Sequence, residues 1–354
     1  MRNISLVFFL AFGLILSSCS SNFLKYEKQD KFFKNEEFER EVKIQTEEDD
    51  DVEAPKVEIQ PSASQTVVAE KEIKKIGVKK EAKKLKTKKA DSKKAETAVP
   101  LKRQPEIEDN EGFTGNSRRP NVDPFKVGEK VIHEVSYFAA KAGTLTMQVK
   151  PFAQVNNRKS YNFSVSLQSS RVFSNFYSVE DRVDTFLDYE NLMPHVLKIN
   201  IKETGKLAQS QSYFNNETLT ASFWEKKYTE KSGEEERKFT WDILPFSQNA
   251  FSGLFYMRVF NWKEGKQVSF RVAEDKKNIV FTGTAIAKEK LNTDAGEFNA
   301  IKIKASIVTR GALSQTGDIF IWVSDDEHKY ILRIEAKIKI GTLVSEVIEI
   351  EPGN

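Results

Sequence analysis

The sequence predicts a mainly β domain over residues 124–354, built as a curved antiparallel sheet or a β-barrel with one short helix and preceded by a disordered linker. Three observations carry this prediction. Apolar and polar side chains alternate repeatedly after residue 124, which is the pattern of half-buried antiparallel strands. The same stretch holds all four tryptophans and 30 of the 39 aromatic residues. From Glu39 to Gly112, by contrast, the chain has no Phe, Tyr or Trp.

The first residues, 1–18, have the pattern of a lipoprotein signal peptide. Arg2 precedes the mostly apolar run 4–16, which is shorter than the roughly 20 residues that a membrane-spanning helix needs. The run leads into Leu16-Ser17-Ser18-Cys19, which resembles the bacterial lipobox. In that motif small residues allow cleavage before the cysteine, whose thiol takes the diacylglyceryl group. The alternative is an ordinary signal peptide with an incidental cysteine.

Cys19 is the only cysteine in the chain, which excludes an internal disulfide framework. We expect it to be the lipidation site, with acyl chains such as palmitate forming a stable membrane anchor. Ser20, rather than Asp, follows it, which in well-studied diderm bacteria implies sorting to the outer membrane. The predicted location is therefore the bacterial cell envelope, lipid-anchored at the outer membrane and facing the periplasm.

Residues 19–123 form the predicted lipidated N-terminus and charged linker. Residues 20–123 hold 23 Lys and Arg against 23 Asp and Glu, but the two signs are segregated. Residues 27–58 carry 13 acidic and 6 basic side chains, whereas residues 71–103 carry 14 basic and 4 acidic ones. A segment with so few large apolar groups cannot offset its ordering entropy by burial, so we expect disorder. The exception is an aromatic patch near the N-terminus, which lies either on the membrane or on the domain: Phe23, Tyr26, Phe32, Phe33 and Phe38. The basic block suits either a solvated spacer or attraction to anionic envelope polymers, and its lack of interleaved aromatics argues against nucleic-acid binding.

Within the β domain, four stretches show the strand alternation most clearly. Their apolar positions are Tyr161, Phe163, Val165 and Leu167; Leu197, Ile199 and Ile201; Ile301, Ile303, Ala305 and Ile307; and Leu332, Ile334, Ala336, Ile338 and Ile340. Turn residues separate such runs, and the pattern predicts roughly a dozen strands between residues 127 and 350. Because no βαβ alternation is present, the architecture is antiparallel, and closure into a barrel would remove exposed edges.

The clearest helix is predicted over residues 247–260. Its apolar positions fall on one stripe, and Ser247 is placed to cap its N-terminus. The stripe consists of Ala250, Phe251, Leu254, Phe255 and Val259.

Several motifs, in this order along the domain, carry a family resemblance. They are Gly128-Glu129-Lys130, Ala142-Gly143-Thr144-Leu145, Val179-Glu180-Asp181-Arg182-Val183-Asp184, the helix stretch 250–258, the turn 293–298 and the stretch 321–327. Together they resemble the domain-of-unknown-function 3108 family, with Asp294 where that family's turn usually has proline. The resemblance covers essentially all of residues 124–354. It implies a secreted or lipid-anchored envelope protein with a lipocalin-like β-barrel, and it supplies no established activity.

Two groups of side chains are candidates for a binding site. Phe173, Phe176 and Tyr177, on a predicted loop, either line the mouth of a ligand cavity or cap the core. In the next strand, alternation places three charged residues on one face, so that an arginine lies between two carboxylates, and it places Asp181 on the other face. The three are Glu180, Arg182 and Asp184, and they form either a charged site or a structural ion pair.

No catalytic motif is recognisable. His133-Glu134 has no second histidine at metalloprotease spacing, and the chain contains no G-x-S-x-G, Walker or dinucleotide-binding pattern. Asp325-Asp326-Glu327-His328 is the densest titratable cluster, and it forms either a metal or acid–base site or the polar tip of a hairpin between strands 316–323 and 330–340. The hairpin tip is favoured, because neighbouring side chains in a turn point in different directions. We therefore expect no catalytic residue, no metal and no cofactor.

The leading functional expectation is a non-enzymatic binding protein whose β domain holds a lipid-like or isoprenoid-like ligand in its interior. The alternative is a structural or interaction protein with a packed interior, which contacts peptidoglycan or an envelope assembly. An enzyme acting on envelope glycans comes third. The expected partners are thus the membrane, through the anchor, and a lipid-like ligand, peptidoglycan or an anionic envelope polymer, and not nucleic acid.

Overall fold

One antiparallel sheet organises the described part of the chain. A computed structural model describes residues 34–46, 108–115, 117–309, 312–313, 318–338 and 341–354. The sheet contains sixteen strands. They are β1 Ile44–Thr46, β2 Lys130–Tyr137, β3 Ala140–Val155, β4 Arg158–Ser169, β5 Glu180–Asp188, β6 Pro194–Glu203, β7 Lys206–Asn215, β8 Thr220–Thr229, β9 Gly233–Asp242, β10 Gln267–Glu274, β11 Lys277–Thr293, β12 Gly296–Thr309, β13 Ala312–Leu313, β14 Ile319–Ser324, β15 Ile331–Ile338 and β16 Gly341–Glu351. The predicted fold class, mainly β and antiparallel, is confirmed.

The strand order shows that the sheet is not a closed barrel. It runs β10-β11-β12-β14-β15-β16-β2-β3-β4-β5-β6-β7-β8-β9, with β1 beside β3 and β13 beside β12. The C-terminal strand β16 pairs with β2 and so joins two meanders into one sheet. β9 and β10 lie at the two ends of this order, and within the described residues no ladder joins them. Of the two architectures that the sequence left open, the structure has the open, curved sheet.

Side chains partly bridge the gap between β9 and the β10–β11 hairpin. The Asn278 amide donates to the Asp242 carbonyl at 3.0 Å and accepts from the Leu244 backbone N–H at 3.1 Å. Arg237 lies 3.7 Å from Asp275 across the same gap. Register shifts in β3, β11 and β16 mark bulges, which bend strands and increase their twist. The sheet therefore curls back on itself without pairing edge to edge.

A short helix, α2, packs against the inner face of the sheet, which is the face that carries the main core. α2 spans Ala250–Tyr256 and continues into a 3-10 turn, Met257–Val259. Phe255 stacks on Phe163 of β4 at a ring distance of 4.2 Å. Phe255 and Val259, two members of the predicted apolar stripe, are buried in the main core.

The predicted helix start at Ser247 is wrong. The cap is Asn249, whose side chain accepts from the backbone N–H groups of Phe251 and Ser252, while the Ser252 hydroxyl accepts from the Asn249 N–H. Ser247 instead donates to the Leu244 carbonyl. The backbone of Gln248 bonds to Arg271 and Ala273 of β10, so the chain is held extended there and helix formation begins only after it.

Residues 34–46 are part of the folded unit, which corrects the predicted extent of the linker. They form a second short helix, α1 Glu36–Glu41, and strand β1, which pairs with the end of β3. Phe38 and Val42 are buried in a separate cluster with Ala153, Val155, Phe186, Val196 and Trp224. Phe38 meets Trp224 edge-on at 5.9 Å. Two apolar residues spaced i, i+4 thus anchor a segment for which the scarcity of large apolar groups had indicated disorder.

The stretch from Glu108 to Asp123 also packs on the domain, so the boundary predicted at residue 124 is too late. Arg118 is fully buried and pairs with Glu108 at 3.0 Å. Its Nε donates to the Asn191 carbonyl at 2.7 Å. A buried charge of this kind persists only with such partners. The signal peptide 1–18, Cys19 and the basic block 71–103 lie outside the described residues.

Candidate ligand cavity

An apolar cavity lies between α2 and the inner face of the sheet. Its volume is about 200 Å³. Its walls come from β2 to β6 on one side, from β10, β11, β12, β14, β15 and β16 on the other, and from α2. All but three of the described lining residues are apolar or glycine, and the three are Asp181, Glu274 and Ser345.

Strand alternation places the apolar walls. Inward positions that the sequence pattern singled out line the cavity, namely Val165, Leu167, Ile199, Ile201, Ala305, Ile334 and Ala336. From α2, Ala250, Phe251 and Leu254 line it. Gly253 also lines it, and a Cβ there would lie 3.2 Å from the Phe270 ring. The glycine thus lets α2 approach β10 closely.

The cavity is partly enclosed rather than fully sealed. Several of its apolar lining residues keep part of their surface exposed, whereas the neighbouring core is buried. The partly exposed ones include Leu145, Leu167, Leu254, Phe281 and Ala305. Apolar surface that remains accessible within a concave site is typical of ligand pockets.

A buried ion pair fixes the C-terminal end of α2. The Arg258 guanidinium bonds to both carboxylate oxygens of Glu129, at 2.6 and 2.9 Å. It also donates to the carbonyls of Pro124 and His328, at 3.0 and 2.8 Å. Arg258 and Glu129 are each 2% exposed. One side chain therefore connects the turn after α2 with the start of β2 and with the β14–β15 hairpin.

Asp181 brings a carboxyl group to the cavity wall from β5. Its Oδ1 accepts from the Lys202 backbone N–H at 3.1 Å, and its side chain is hydrogen-bonded to Glu203. Glu203 in turn accepts from the Tyr177 hydroxyl at 2.8 Å and from Lys206 Nζ at 3.1 Å. Burial, together with the adjacent Glu203 carboxylate, raises the pKa of Asp181 to about 7.

Glu274 brings a second carboxyl group to the wall, from the end of β10. Burial raises the pKa of Glu274 to about 7, against the hydrogen bond from the Ala250 backbone N–H. The neighbouring Asp275 acts in the same direction as burial, and Lys277 against it. Both cavity acids thus change charge near neutral pH.

Ser345, the third polar lining residue, bonds to a buried histidine. Its Oγ lies 2.9 Å from His133 Nδ1, and His133 Nε2 lies 2.9 Å from the Ile331 carbonyl oxygen. Since that carbonyl only accepts, Nε2 carries the proton and Nδ1 accepts from the serine hydroxyl. Burial lowers the pKa of His133 to about 4, so the imidazole is neutral at pH 7.

Phe173, Phe176 and Tyr177 lie beyond the cavity wall and are not among its lining residues. They belong to the loop between β4 and β5, where residues 173–175 form a 3-10 turn. Leu145 of β3 pairs with Leu167 of β4, and both line the cavity. The next inward pair along β4 is Gly143–Ser169, which ends the strand before this loop. Phe176 is 82% exposed. None of the three aromatics therefore lines the cavity, and the Tyr177 hydroxyl donates to Glu203.

Glu180, Arg182 and Asp184 lie on the opposite face of β5 from the cavity. Arg182 Nε bonds to Asp184 Oδ2 at 2.9 Å, and Glu180 pairs with Lys202 at 2.6 Å. Both ion pairs are partly exposed to solvent. Arg182 thus pairs with Asp184, whereas Glu180 pairs with Lys202 of the neighbouring strand. The same alternation correctly placed Asp181 on the other face.

Sequence reasoning did not single out Asp181 or Glu274 as functional. A signal for Glu274 was present: it continues the inward series Val268, Phe270 and Val272 of β10. A charged residue at the next inward position of an apolar series indicates a special environment. For Asp181 the inward position was recognised, but the neighbouring apolar wall was visible only in the structure.

The stretch 325–328 forms the hairpin tip that was predicted. Asp326 Oδ1 accepts from the backbone N–H groups of His328 and Lys329, at 3.0 and 2.9 Å, and so closes the turn between β14 and β15. Among the described residues, no group of three or more His, Cys, Asp or Glu side chains is placed to hold a metal ion. In the same part of the chain, no helix has the length and apolar character needed to cross a membrane.

Comparisons with known proteins give a family and distant structural neighbours. The family model described as "Protein of unknown function (DUF3108)" matches residues 133–348. No curated protein matches the chain. A β-barrel-like DUF1849 protein from Brucella abortus is 8% identical, with a TM-score of 0.41, over 64% of this chain and 98% of that one.

Two further solved structures match over a similar share of the chain. A lipoprotein candidate from Parabacteroides distasonis is 10% identical, with a TM-score of 0.29, over 65% of this chain and 99% of that one. An exported-protein candidate with a YmcC-like fold from Bacteroides fragilis is 8% identical, with a TM-score of 0.29, over 65% of this chain and 98% of that one.

Proposed function

The chain belongs to the DUF3108 family of unknown function, and on this premise we propose that its β domain binds the apolar part of a lipid-like ligand in the cavity beside α2, without catalysis. The partly enclosed cavity of about 200 Å³ with apolar walls is the observation that carries the proposal. An apolar cavity of about 150 Å³ is already large enough to bind benzene. Filling this one would remove apolar surface from water and replace missing dispersion contacts.

The polar groups of the cavity are better suited to binding a ligand than to catalysing a reaction. The Ser345–His133 pair has the residue types of a hydrolytic dyad, but His133 is 0% exposed and burial lowers its pKa to about 4. An imidazole in such surroundings is a poor acceptor for the serine proton, because its charged form is strongly disfavoured. The side chain that would orient a catalytic histidine is replaced by the Ile331 carbonyl. The pair therefore serves to join β2, β15 and β16.

Two variants that fill the cavity test the proposal. Ala336, on β15, lines the cavity and is 7% exposed, while the adjacent Lys337 is on the exposed face. We expect Ala336→Phe to weaken binding of the neutral fluorescent probe N-phenyl-1-naphthylamine by about tenfold or more, because the new ring occupies the cavity. Lys337→Phe, which adds the same ring outside, leaves binding unchanged. Ala305→Phe serves as a second filling variant if the first disturbs folding.

The binding assay uses the full chain with Cys19→Ser, so that no acyl chain of its own competes, and circular dichroism checks that each variant is folded. Native mass spectrometry of the same protein detects co-purified ligand. The proposal fails if the folded protein binds no apolar probe, or if Ala336→Phe and Ala305→Phe both bind it as well as Lys337→Phe does. Retention of such a protein on isolated sacculi would favour the structural alternative.

We also propose that Cys19 carries the lipid and that the protein is held at the periplasmic face of the outer membrane. The lipobox supports this proposal. Between Cys19 and Asn35, the cap of α1, lie 15 residues, so the two Cα atoms are at most about 58 Å apart when the chain is fully extended. The β domain would therefore stay within that distance of the anchor. Incorporation of a palmitate analogue is expected in the unaltered protein and in Ser20→Ala. Incorporation that persists in Cys19→Ala would contradict the assignment, and fractionation of the outer membrane tests the location.

A further inference from the structure

The cavity is apolar except for two carboxyl groups that reach it from different parts of the sheet. Asp181 projects from β5 and Glu274 from β10. α2 packs against both strands, so the two acids enter the cavity from strands on either side of the same helix. Among the described residues that line the cavity, none is Lys, Arg or His. The lining charge is therefore acidic.

Both carboxyl groups keep acceptor capacity for a ligand. A carboxylate offers about four lone-pair sites. Asp181 receives one backbone N–H bond and shares a hydrogen bond with Glu203, and Glu274 receives the Ala250 N–H. Next to apolar walls, a further donor or a positive charge is strongly favoured, whereas a second negative group is repelled in a medium that screens poorly.

From this arrangement we infer that the ligand is an amphiphile whose head group donates hydrogen bonds and is uncharged or cationic, held by Asp181 and Glu274, and that carboxylate and phosphate amphiphiles are rejected. This inference rests on the proposed cavity function and specifies its ligand class. It assigns the apolar wall to the chain of the ligand and the two acids to its head group.

Because both acids titrate near neutral pH, the preference of the cavity for cationic over anionic head groups depends on pH. Asp181 faces Glu203, Lys206 and the loop residue Tyr177, while Glu274 has Asp275 and Lys277 beside it. Burial raises the pKa of each cavity acid to about 7. Protonated, each can accept from or donate to a neutral head group; ionised, each attracts a cation. Raising the pH from 6 to 8.5 therefore increases the negative charge of the cavity.

Three probes with the same ten-carbon chain test the inference: decylamine, decan-1-ol and decanoic acid. Each displaces N-phenyl-1-naphthylamine from the full chain carrying Cys19→Ser, at pH 6 and at pH 8.5, below its micellar concentration. The amine stays cationic and the acid anionic over this range, so only the protein changes charge. At pH 8.5 we expect decylamine to bind about tenfold or more tightly than decanoic acid. We expect decylamine to bind more tightly at pH 8.5 than at pH 6, and decan-1-ol to change less than about threefold.

Three variants and two matched controls test whether the two acids cause the preference for decylamine over decanoic acid. Asp181→Asn and Glu274→Gln each reduce the preference for the amine, and the double variant lowers it below about threefold. The matched controls are Glu180→Gln and Asp275→Asn, which neutralise the adjacent exposed acids and are expected to retain the preference. Circular dichroism again confirms folding, and the two single variants keep the test valid if the double variant is unstable.

The inference is overturned if decanoic acid binds as tightly as decylamine at pH 8.5, or if the folded double variant keeps the full preference. In either case the cavity still binds an apolar chain and the proposed function stands. If none of the three probes displaces the fluorophore, the cavity function itself fails, and the inference fails with it. The two failures are therefore distinguishable.

Discussion

Replacing Arg258 by methionine removes the charge that connects α2 to the rest of the fold. The methionine side chain is close in length to the aliphatic part of arginine, so the substitution mainly deletes the guanidinium. Glu129, which is 2% exposed, is then left as a buried carboxylate without its partner. The carbonyls of Pro124 and His328 also lose their donors.

The expected loss follows from these contacts. Removing one partner of a buried ion pair costs about 3–5 kcal/mol, because the other charge stays buried and uncompensated. We therefore expect Arg258→Met to lower the free energy of unfolding by about 4 kcal/mol. In the double variant Arg258→Met, Glu129→Met no charge is left behind, so the expected loss is only about 0–2 kcal/mol. The coupling energy of this cycle should then exceed about 2 kcal/mol.

Urea unfolding followed by tryptophan fluorescence measures these changes. With a slope of about 1–3 kcal/mol per molar urea, a loss of 4 kcal/mol moves the midpoint by more than about 1 M. The control is the surface pair Lys290–Glu297, whose side chains are 68% and 55% exposed, and for which Lys290→Met should cost less than about 1 kcal/mol. If Arg258→Met costs no more than this control, or if the double variant is less stable than Arg258→Met, the reasoning is refuted.

Three further predictions concern the core and the docked N-terminal segment. Burial lowers the pKa of His133 to about 4. The neutral imidazole therefore contributes fully to stability above about pH 6.5, and this contribution is lost as the pH falls. Between pH 8 and pH 5, His133 alone should reduce the free energy of unfolding by about 2 kcal/mol. Urea titrations at both pH values measure the fall in the free energy of unfolding from pH 8 to pH 5. This fall should be about 2 kcal/mol smaller in His133→Gln than in the unaltered protein. The same fall in both proteins would contradict the prediction. Phe38→Ala should release the 34–46 segment, because the Phe38 ring is its main buried anchor. The β1 amides should then exchange hydrogen faster than in the control Glu39→Ala, which changes an exposed residue. Unchanged protection of these amides would contradict the prediction. Gly283→Ala should cost about 1–3 kcal/mol, because the added Cβ would lie 2.6 Å from the Trp262 ring; an unchanged melting temperature would exclude this packing.

Much of the fold was predictable because the signals are local. Strand alternation depends on side chains two residues apart, and at the described positions it identified the inward faces of β4, β6, β12 and β15 correctly. The side chains of Ile307, Ile338 and Ile340 lie outside the described part of the chain. The same rule separated Asp181 from its neighbours on β5. The ordered motifs also led to the family whose model matches residues 133–348. These conclusions need no knowledge of which strands pair.

What could not be predicted depends on contacts between distant parts of the chain. The segment 34–46 has the charge of a linker, and its order comes from Phe38 reaching Trp224, 186 positions further on. The burial of Arg118 likewise depends on distant contacts, because its guanidinium is satisfied by the Glu108 carboxylate and by the Asn191 carbonyl. The start of α2 was also misplaced, because β10 holds Gln248 extended and only then can Asn249 act as the cap.

The sequence by itself determined the β class and the apolar face of the described parts of β4, β6, β12 and β15, and it predicts a lipid anchor at Cys19. These properties follow from local periodicity and from a short motif. Only the tertiary structure decided that the sheet stays open between β9 and β10, and that α2 leaves a cavity beside it. It also decided that Asp181 and Glu274, 93 positions apart, share that cavity. The physical reason is that a cavity and its charge are properties of packing, which depends on where distant strands and helices meet.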